Sequence, residues 1–175
     1  SQVYFNQPRL STNMNVLKPT IVLVAMIKNE KQKIEEWLKY HCQYLGIDEF
    51  YLALDLPTDG TRELLEDLKH KFPLHVCDTS ATKASVFGHV GEKRNRNGDI
   101  RALQKRFLVS YNEAIEHYRP KADEEHYCVF LDVDEFIVPK QQELTFKEWI
   151  EMVSTKRINF WSYDFKGPFD LDKPI

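Results

Sequence analysis

Phe130-Leu131-Asp132-Val133-Asp134-Glu135-Phe136 is the stretch on which the reading of this chain turns. The run Tyr127 to Leu131 is apolar enough for a buried strand, and it ends abruptly in two carboxylates one residue apart. Side chains two apart in an extended chain point the same way, so Asp132 and Asp134 share one small volume at the strand's end. At roughly 5 Å two such charges repel by about 1 kcal/mol in water and by several times that in a drier cleft. Either a cation compensates them or one of the pair holds a proton. A hard divalent ion with oxygen ligands fits, because two carboxylates leave coordination positions open for phosphate oxygens. The plainer reading is an acidic turn that serves as cap and solubiliser. A calcium-binding EF-hand loop starting at Asp132 fails on spacing, since Phe136 and Ile137 stand where a ligand and the tight-turn glycine belong.

Upstream of this stretch the chain alternates between strand and helix. Ile21-Val22-Leu23-Val24-Ala25-Met26-Ile27 is a continuous aliphatic run, as a strand covered on both faces requires. A helix follows with Ile34, Trp37, Leu38, His41 and Leu45 on one face, and Gly46 stands where a terminating glycine belongs. Phe50 to Leu54 reads as a second buried strand, closed by Asp55. Pro57-Thr58-Asp59-Gly60 is a turn with a ready cap, and Leu64, Leu65, Leu68 and Phe72 stripe the next helix. Leu74 to Cys77 is a short third strand. Residues 79–99, punctuated by Gly88, Gly91 and Gly98, read as a long loop, and a helix from Asp99 to Tyr118 is expected to bury Ile100, Leu103, Phe107, Tyr111, Ala114 and Tyr118. Thr145 and Glu148 have capping-box spacing, and Ile158 to Phe165 alternates as a last strand. Residues 1–19 look like an extended N-terminal arm, with one domain over 20–175 whose C-terminus is open to truncation.

Such alternation predicts an α/β sandwich with a mainly parallel sheet, and ligands of such sheets bind beyond the carboxyl ends of the strands. Three tips are then expected to converge: Lys28-Asn29-Glu30, Asp55, and Asp132 to Asp134. The 175 residues suit a single domain that buries a core without staples. With 24 basic against 27 acidic residues the net charge is −3, which argues against nucleic acid as a partner. Three scattered cysteines, Cys42, Cys77 and Cys128, exclude a disulfide or zinc framework. No run approaches the roughly 18 apolar residues of a transmembrane span, and no signal-peptide pattern is visible. The expectation is a cytoplasmic domain, with the cytosolic face of a membrane as its outer limit. Because Ser1 is not a natural start, the chain reads as trimmed.

Four blocks taken together resemble nucleotide-sugar glycosyltransferases of the GT-A fold, close to family 2 and especially to its family 92-like branch. Val24-Ala25-Met26-Ile27-Lys28-Asn29-Glu30 resembles that branch's first strand with its K-N-E end. Ile34-Glu35-Glu36-Trp37-Leu38-Lys39-Tyr40-His41 with Leu45-Gly46-Ile47 is similar to its EWL-x-YH…LG segment. Ala53-Leu54-Asp55-Leu56-Pro57-Thr58-Asp59-Gly60-Thr61 follows the family 2 VDDGSTDGT turn, and Phe130 to Phe136 matches F-(I/L)-D-x-D-E-F. The resemblance implies a Rossmann-like α/β/α sandwich and transfer of a sugar from a nucleotide-sugar donor, in the first instance a UDP-sugar, to a glycan or related hydroxyl acceptor, with inversion. By the same resemblance Asp132 and Asp134 hold Mn²⁺ or Mg²⁺ on the donor diphosphate. Lys28, Asn29, Glu30 and Asp55 then line the nucleoside pocket, and Arg106 lies near the base.

Each of these residues also has a plainer reading: Glu30 favours a helix N-terminus and Asp55 starts a turn. The usual DDGS has become Leu54-Asp55-Leu56-Pro57, so the first acid is missing, and the later ED and Q-x-x-R-W motifs have no counterpart after residue 140. Asp164 is the candidate general base by analogy with inverting enzymes; its simplest explanation is a solvated strand-end acid. Lys83, Lys93, Arg94, Arg96, Arg101, Lys105 and Arg106 form a basic stretch that reads as a solvated loop or as a lid over a diphosphate. Two other readings stand beside the transferase. A haloacid dehalogenase-like phosphohydrolase also opens with D-x-D after an apolar strand, but needs more chain after Asp134 than remains before Ile175. The other is a non-catalytic donor-binding remnant of a larger transferase.

Overall fold

The structure, a computed structural model, describes residues 2–5, 19–82, 96–119, 126–139, 144–152 and 161–163. Its elements are β1 (Gln2–Phe5), β2 (Thr20–Ile27), α1 (Ile34–Lys39), a π-helical turn (Tyr40–Tyr44), β3 (Glu49–Leu54), α2 (Thr61–Leu68), β4 (Leu74–Asp78), a 3₁₀ turn (Thr79–Ala81), α3 (Arg96–His117), β5 (His126–Phe130), β6 (Phe136–Pro139), α4 (Phe146–Met152) and β7 (Trp161–Tyr163).

Four strands form a parallel sheet in the order β4-β3-β2-β5, and helices flank it, as in a GT-A-like α/β fold. The aliphatic run of β2 explains its central place. Ile21, Leu23, Ala25 and Ile27 face a core shared with Trp37 and Leu38 of α1, Leu65 and Leu68 of α2, and Phe146, Trp149 and Ile150 of α4. Val22 and Val24 face the other way, against Tyr51 of β3 and Ala114 of α3, with Tyr118 just beyond that helix. All of Ile21–Ala25 is wholly buried, and at about 1.5–3 kcal/mol for each large aliphatic side chain this run anchors the domain. Because β3 lies on one side of β2 and β5 on the other, the strand order reverses at β2, the switch point beyond whose carboxyl end sheets of this kind take their ligands.

The expected helix boundaries at Gly46 and Thr145 hold. Gly46 adopts φ +70° with open space where a Cβ would stand. The Thr145–Glu148 capping box closes in both directions, with Thr145 N–H donating to Glu148 Oε2 at 2.8 Å and Glu148 N–H to Thr145 Oγ1 at 3.2 Å.

Two features depart from the sequence reading. Residues 2–5, which the sequence assigns to an extended arm, are extended but paired: β1 lies between β6, parallel, and β7, antiparallel, in a second sheet of order β6-β1-β7. In addition, α3 buries Ala114, with Tyr118 just beyond it, as expected, but also Ala102, Arg106 and Ser110, while Leu103, Phe107 and Tyr111 are only half-buried and Leu108 and Ile115 are exposed. The buried stripe is made of small residues with one arginine, because α3 packs closely on the sheet and Arg106 has a buried partner there.

Candidate active site

The site rim consists of two turns laced to each other and a third turn beside them. Beyond β2 the chain reverses through Asn29, whose φ of +54° suits asparagine better than most residues. Beyond β3 it runs through Asp55 to the Pro57–Gly60 turn. Asp55 N–H donates to Ile27 O at 2.8 Å, prolonging the ladder past the strand ends. Thr58 N–H then donates to Asn29 Oδ1 at 2.7 Å, Glu30 N–H to Thr61 Oγ1 at 2.9 Å, and Lys31 N–H to Asp59 Oδ2 at 3.1 Å. Asp59 Oδ1 also accepts from Thr61 N–H at 3.0 Å. The polar residues of both blocks thus satisfy one another's backbone. Leu56, at φ +45° and exposed, stands in this turn against the preference of its side chain and of the following proline.

The third turn carries the acids. Val24 pairs with Phe130, so the chain leaves β5 alongside the last residues of β2. Glu135 N–H donates to Asp132 O at 2.9 Å, and Asp132 N–H to Glu135 Oε2 at 3.0 Å, which closes Asp132 to Glu135 on itself. Val133 is buried in the core while Asp132 and Asp134 are exposed. The two acids therefore share the solvent side of a turn pinned by Val133, and not the face of an extended strand.

Electrostatics ties the turns together. Burial pushes the Asp132 carboxyl above the usual carboxylate range, and the Glu135 and Asp134 charges push it further. Glu30 is raised as well: by burial first, against the lowering pull of Lys33, and then by Asp134, Asp59 and Asp132. Asp59 from the laced turns and Asp132 and Asp134 from the third thus all act on Glu30. Asp59 and Tyr111 are residues the sequence reading did not single out for this place. The Tyr111 ring packs on Phe130 at 4.7 Å, and its hydroxyl is raised by burial and then by the Asp132 and Glu135 charges. Its signal was a hydroxyl on a helix face otherwise read as core.

Asp55 and Arg106 lie beneath this rim and meet each other. Arg106 Nε donates to Asp55 Oδ1 at 3.0 Å and its Nη2 to Oδ2 at 3.1 Å, with both side chains at 0% exposure. Thr79 Oγ1 adds a hydrogen bond to Asp55 Oδ1 at 2.8 Å. The pair ties α3 to the carboxyl ends of β3 and β4. Direct contact of Asp55 with a nucleoside, as the resemblance implied, requires this pair to part. Lys28 leaves β2 half-buried. Asp164 and the Lys83–Arg94 part of the basic stretch lie outside the described residues.

Among the described residues, no group of three or more His, Cys, Asp or Glu side chains is arranged to hold a metal ion. Two exposed carboxylates with all-oxygen donors do fit a share of the shell of a hard cation that keeps waters or phosphate oxygens.

Compared with known families, residues 19–173 match glycosyltransferase family 92. The chain belongs to that family. No curated protein and no solved structure matches. The chain is thus a family 92 glycosyltransferase domain, acting between a sugar donor and an acceptor, and the phosphohydrolase reading falls away. None of the described helices of this family 92 domain is long and apolar enough to cross a membrane.

Proposed function

We propose that this family 92 domain transfers a sugar from a UDP-sugar to a hydroxyl of a glycan or related acceptor, with inversion, and that Asp132 and Asp134 hold Mn²⁺ or Mg²⁺ against the donor diphosphate. The reading is carried by one observation: a turn pinned by buried Val133 presents two exposed, mutually repelling acids beyond the carboxyl end of β5, beside the switch point of the parallel sheet. A bound divalent ion would act there as a Lewis acid on the departing diphosphate.

The chain's own residues do the rest. Asp132 and Asp134 supply oxygen donors, and binding relieves their repulsion. Glu30, raised and half-buried, accepts hydrogen bonds from ribose hydroxyls or a base N–H. Lys28 and Asn29 border that pocket. Asp55 and Arg106 support it from below as a buried pair rather than by touching the nucleoside. Asp164 is the proposed base that removes the acceptor hydroxyl's proton.

Incubation of the protein with a panel of nucleotide sugars, with Mn²⁺ and with EDTA, tests this directly. The reading expects release of UDP from one UDP-sugar that depends on Mn²⁺ and stops with Asp132→Asn. Equal turnover in EDTA refutes the metal role. Tight Mn²⁺-dependent UDP binding without turnover, with or without added acceptors, favours the non-catalytic donor-binding remnant.

A further inference from the structure

The block Trp37-Leu38-Lys39-Tyr40-His41 has no part in the rim described above, yet three of its side chains end on the last residue of the acid turn and the two that follow it. Trp37 Nε1–H donates to the carbonyl of Glu135 at 2.9 Å. Tyr40 Oη–H donates to the carbonyl of Ile137, also at 2.9 Å. Between these two carbonyls Phe136 is held by rings: His41 stacks on it at 5.6 Å with planes 19° apart, and Tyr40 meets it edge-on at 5.2 Å. His41 is itself fixed by a hydrogen bond of 2.8 Å between Nδ1 and the carbonyl of Trp37. Trp37 and His41 are wholly buried and Tyr40 nearly so. Positions 37, 40 and 41 share one helix face, and the π-helical turn begins at Tyr40, where the grip on Phe136 begins.

Core filling alone does not require this chemistry, since phenylalanine or leucine would occupy the same space without polar tips. Here the tips are spent on two backbone carbonyls of one short segment, Glu135 and Ile137, which starts one residue after Asp134. On the other side of the acid turn, Leu131 N–H donates to Val24 O at 3.2 Å and fixes the exit from β5. The turn is thereby suspended between two anchors, one from the sheet and one from α1 and its π-helical extension. Two like charges on a loose turn would drift apart in the absence of a cation, and drawing them together again would weaken binding. A turn held at both ends avoids that loss.

We infer that α1 and the π-helical turn form a brace for the acid turn, with Trp37, Tyr40 and His41 as positioning residues that act on Asp132 and Asp134 through Glu135–Ile137. This rests on the reading in which those two acids hold the divalent ion. The brace explains why the helix block and the acid block occur in one chain although nearly a hundred residues separate them.

Trp37→Phe and Tyr40→Phe remove one donor each and keep a ring in place. Tyr51→Phe, which removes the contact with Cys77 Sγ on another part of the sheet, controls for general loss of a hydrogen bond. Two readouts are needed: amide hydrogen exchange along the chain, and Mn²⁺ affinity from electron paramagnetic resonance titration. In Trp37→Phe and Tyr40→Phe, amides from Leu131 to Ile137 should exchange roughly three- to tenfold faster while those of β2 and β3 keep their protection. Mn²⁺ binding should weaken by a similar factor, and Tyr51→Phe should change neither. Exchange that is unchanged at the turn, or that rises evenly over the whole chain, overturns the brace, as does unaltered Mn²⁺ affinity in both variants when the wild type binds the ion. A wild type that binds no Mn²⁺ sinks the metal reading instead, and the exchange data alone then decide whether the brace exists.

Discussion

Arg106→Met isolates what the buried ion pair contributes. In the wild type the guanidinium meets both oxygens of Asp55 at 3.0 and 3.1 Å, with neither side chain exposed. Methionine fills much of the same space but takes both guanidinium hydrogen bonds from the Asp55 carboxylate, which keeps that of the Thr79 hydroxyl. Removing one partner of such a pair costs about 3–5 kcal/mol, because the survivor stays buried and has lost its guanidinium counter-charge. That is a large part of the roughly 5–15 kcal/mol that stabilises a domain, and for this length it corresponds to a fall in Tm of roughly 6–20 °C. Replacing both partners, as Asp55→Leu with Arg106→Met, removes the orphaned charge and should recover most of the loss, to within about 2 kcal/mol of wild type. Urea unfolding followed by circular dichroism on the wild type, both single variants and the double variant forms a complete cycle. A single-variant loss under about 1 kcal/mol, or a double variant no better than the sum of the singles, would refute the assignment of the pair as a coupled structural clamp.

Leu56→Gly should stabilise the fold by about 0.5–1 kcal/mol in urea unfolding, since it relieves left-handed strain worth about 1–2 kcal/mol at the cost of a more flexible unfolded chain. Burial holds His41 neutral, lowering it from its ordinary value to about 3 against the raising pull of the Trp37 carbonyl. The unfolded state then binds the extra proton, so stability falls as pH drops below about 6.5, by about 2 kcal/mol between pH 7 and pH 5. His41→Asn should flatten that slope in unfolding curves measured at the two pH values. Because Asp132 and Glu30 both sit above the ordinary carboxylate range, protons compete for the site early on acidification. Mn²⁺ affinity measured by titration calorimetry should therefore begin to fall at a higher pH than a free carboxylate would predict.

Much of the sheet was legible because β2 and β3 are continuous apolar runs, and a run of that length without alternation fits only a strand covered on both faces. The convergence of Glu30 with Asp132 and Asp134 followed from the rule that such sheets bind at their carboxyl ends. Long-range detail was not legible. Nothing local in Gln2–Phe5 says that it will lie between β6 and β7, since short strands take their partners from the whole fold. The π-helical turn at Tyr40 packs against Phe136, a partner remote in sequence that no local pattern reveals. Hydrophobic spacing locates Ala114 and Tyr118 on the buried face of α3 but also favours Leu103 and Phe107, whereas the close approach of the helix selects Ala102 and Ser110 around an arginine whose partner lies in another element. The cue was present in the small residues recurring every four positions about Arg106.

The central claim is that Asp132 and Asp134 together hold a divalent cation on a pyrophosphate. Titration calorimetry of UDP into the wild type and into Asp134→Asn, each with and without Mn²⁺, tests it most directly. The account predicts Mn²⁺-dependent UDP binding in the wild type and its loss in the variant, with unfolding curves unchanged because Asp134 is exposed. Equal Mn²⁺-dependent affinity in the two proteins would contradict it.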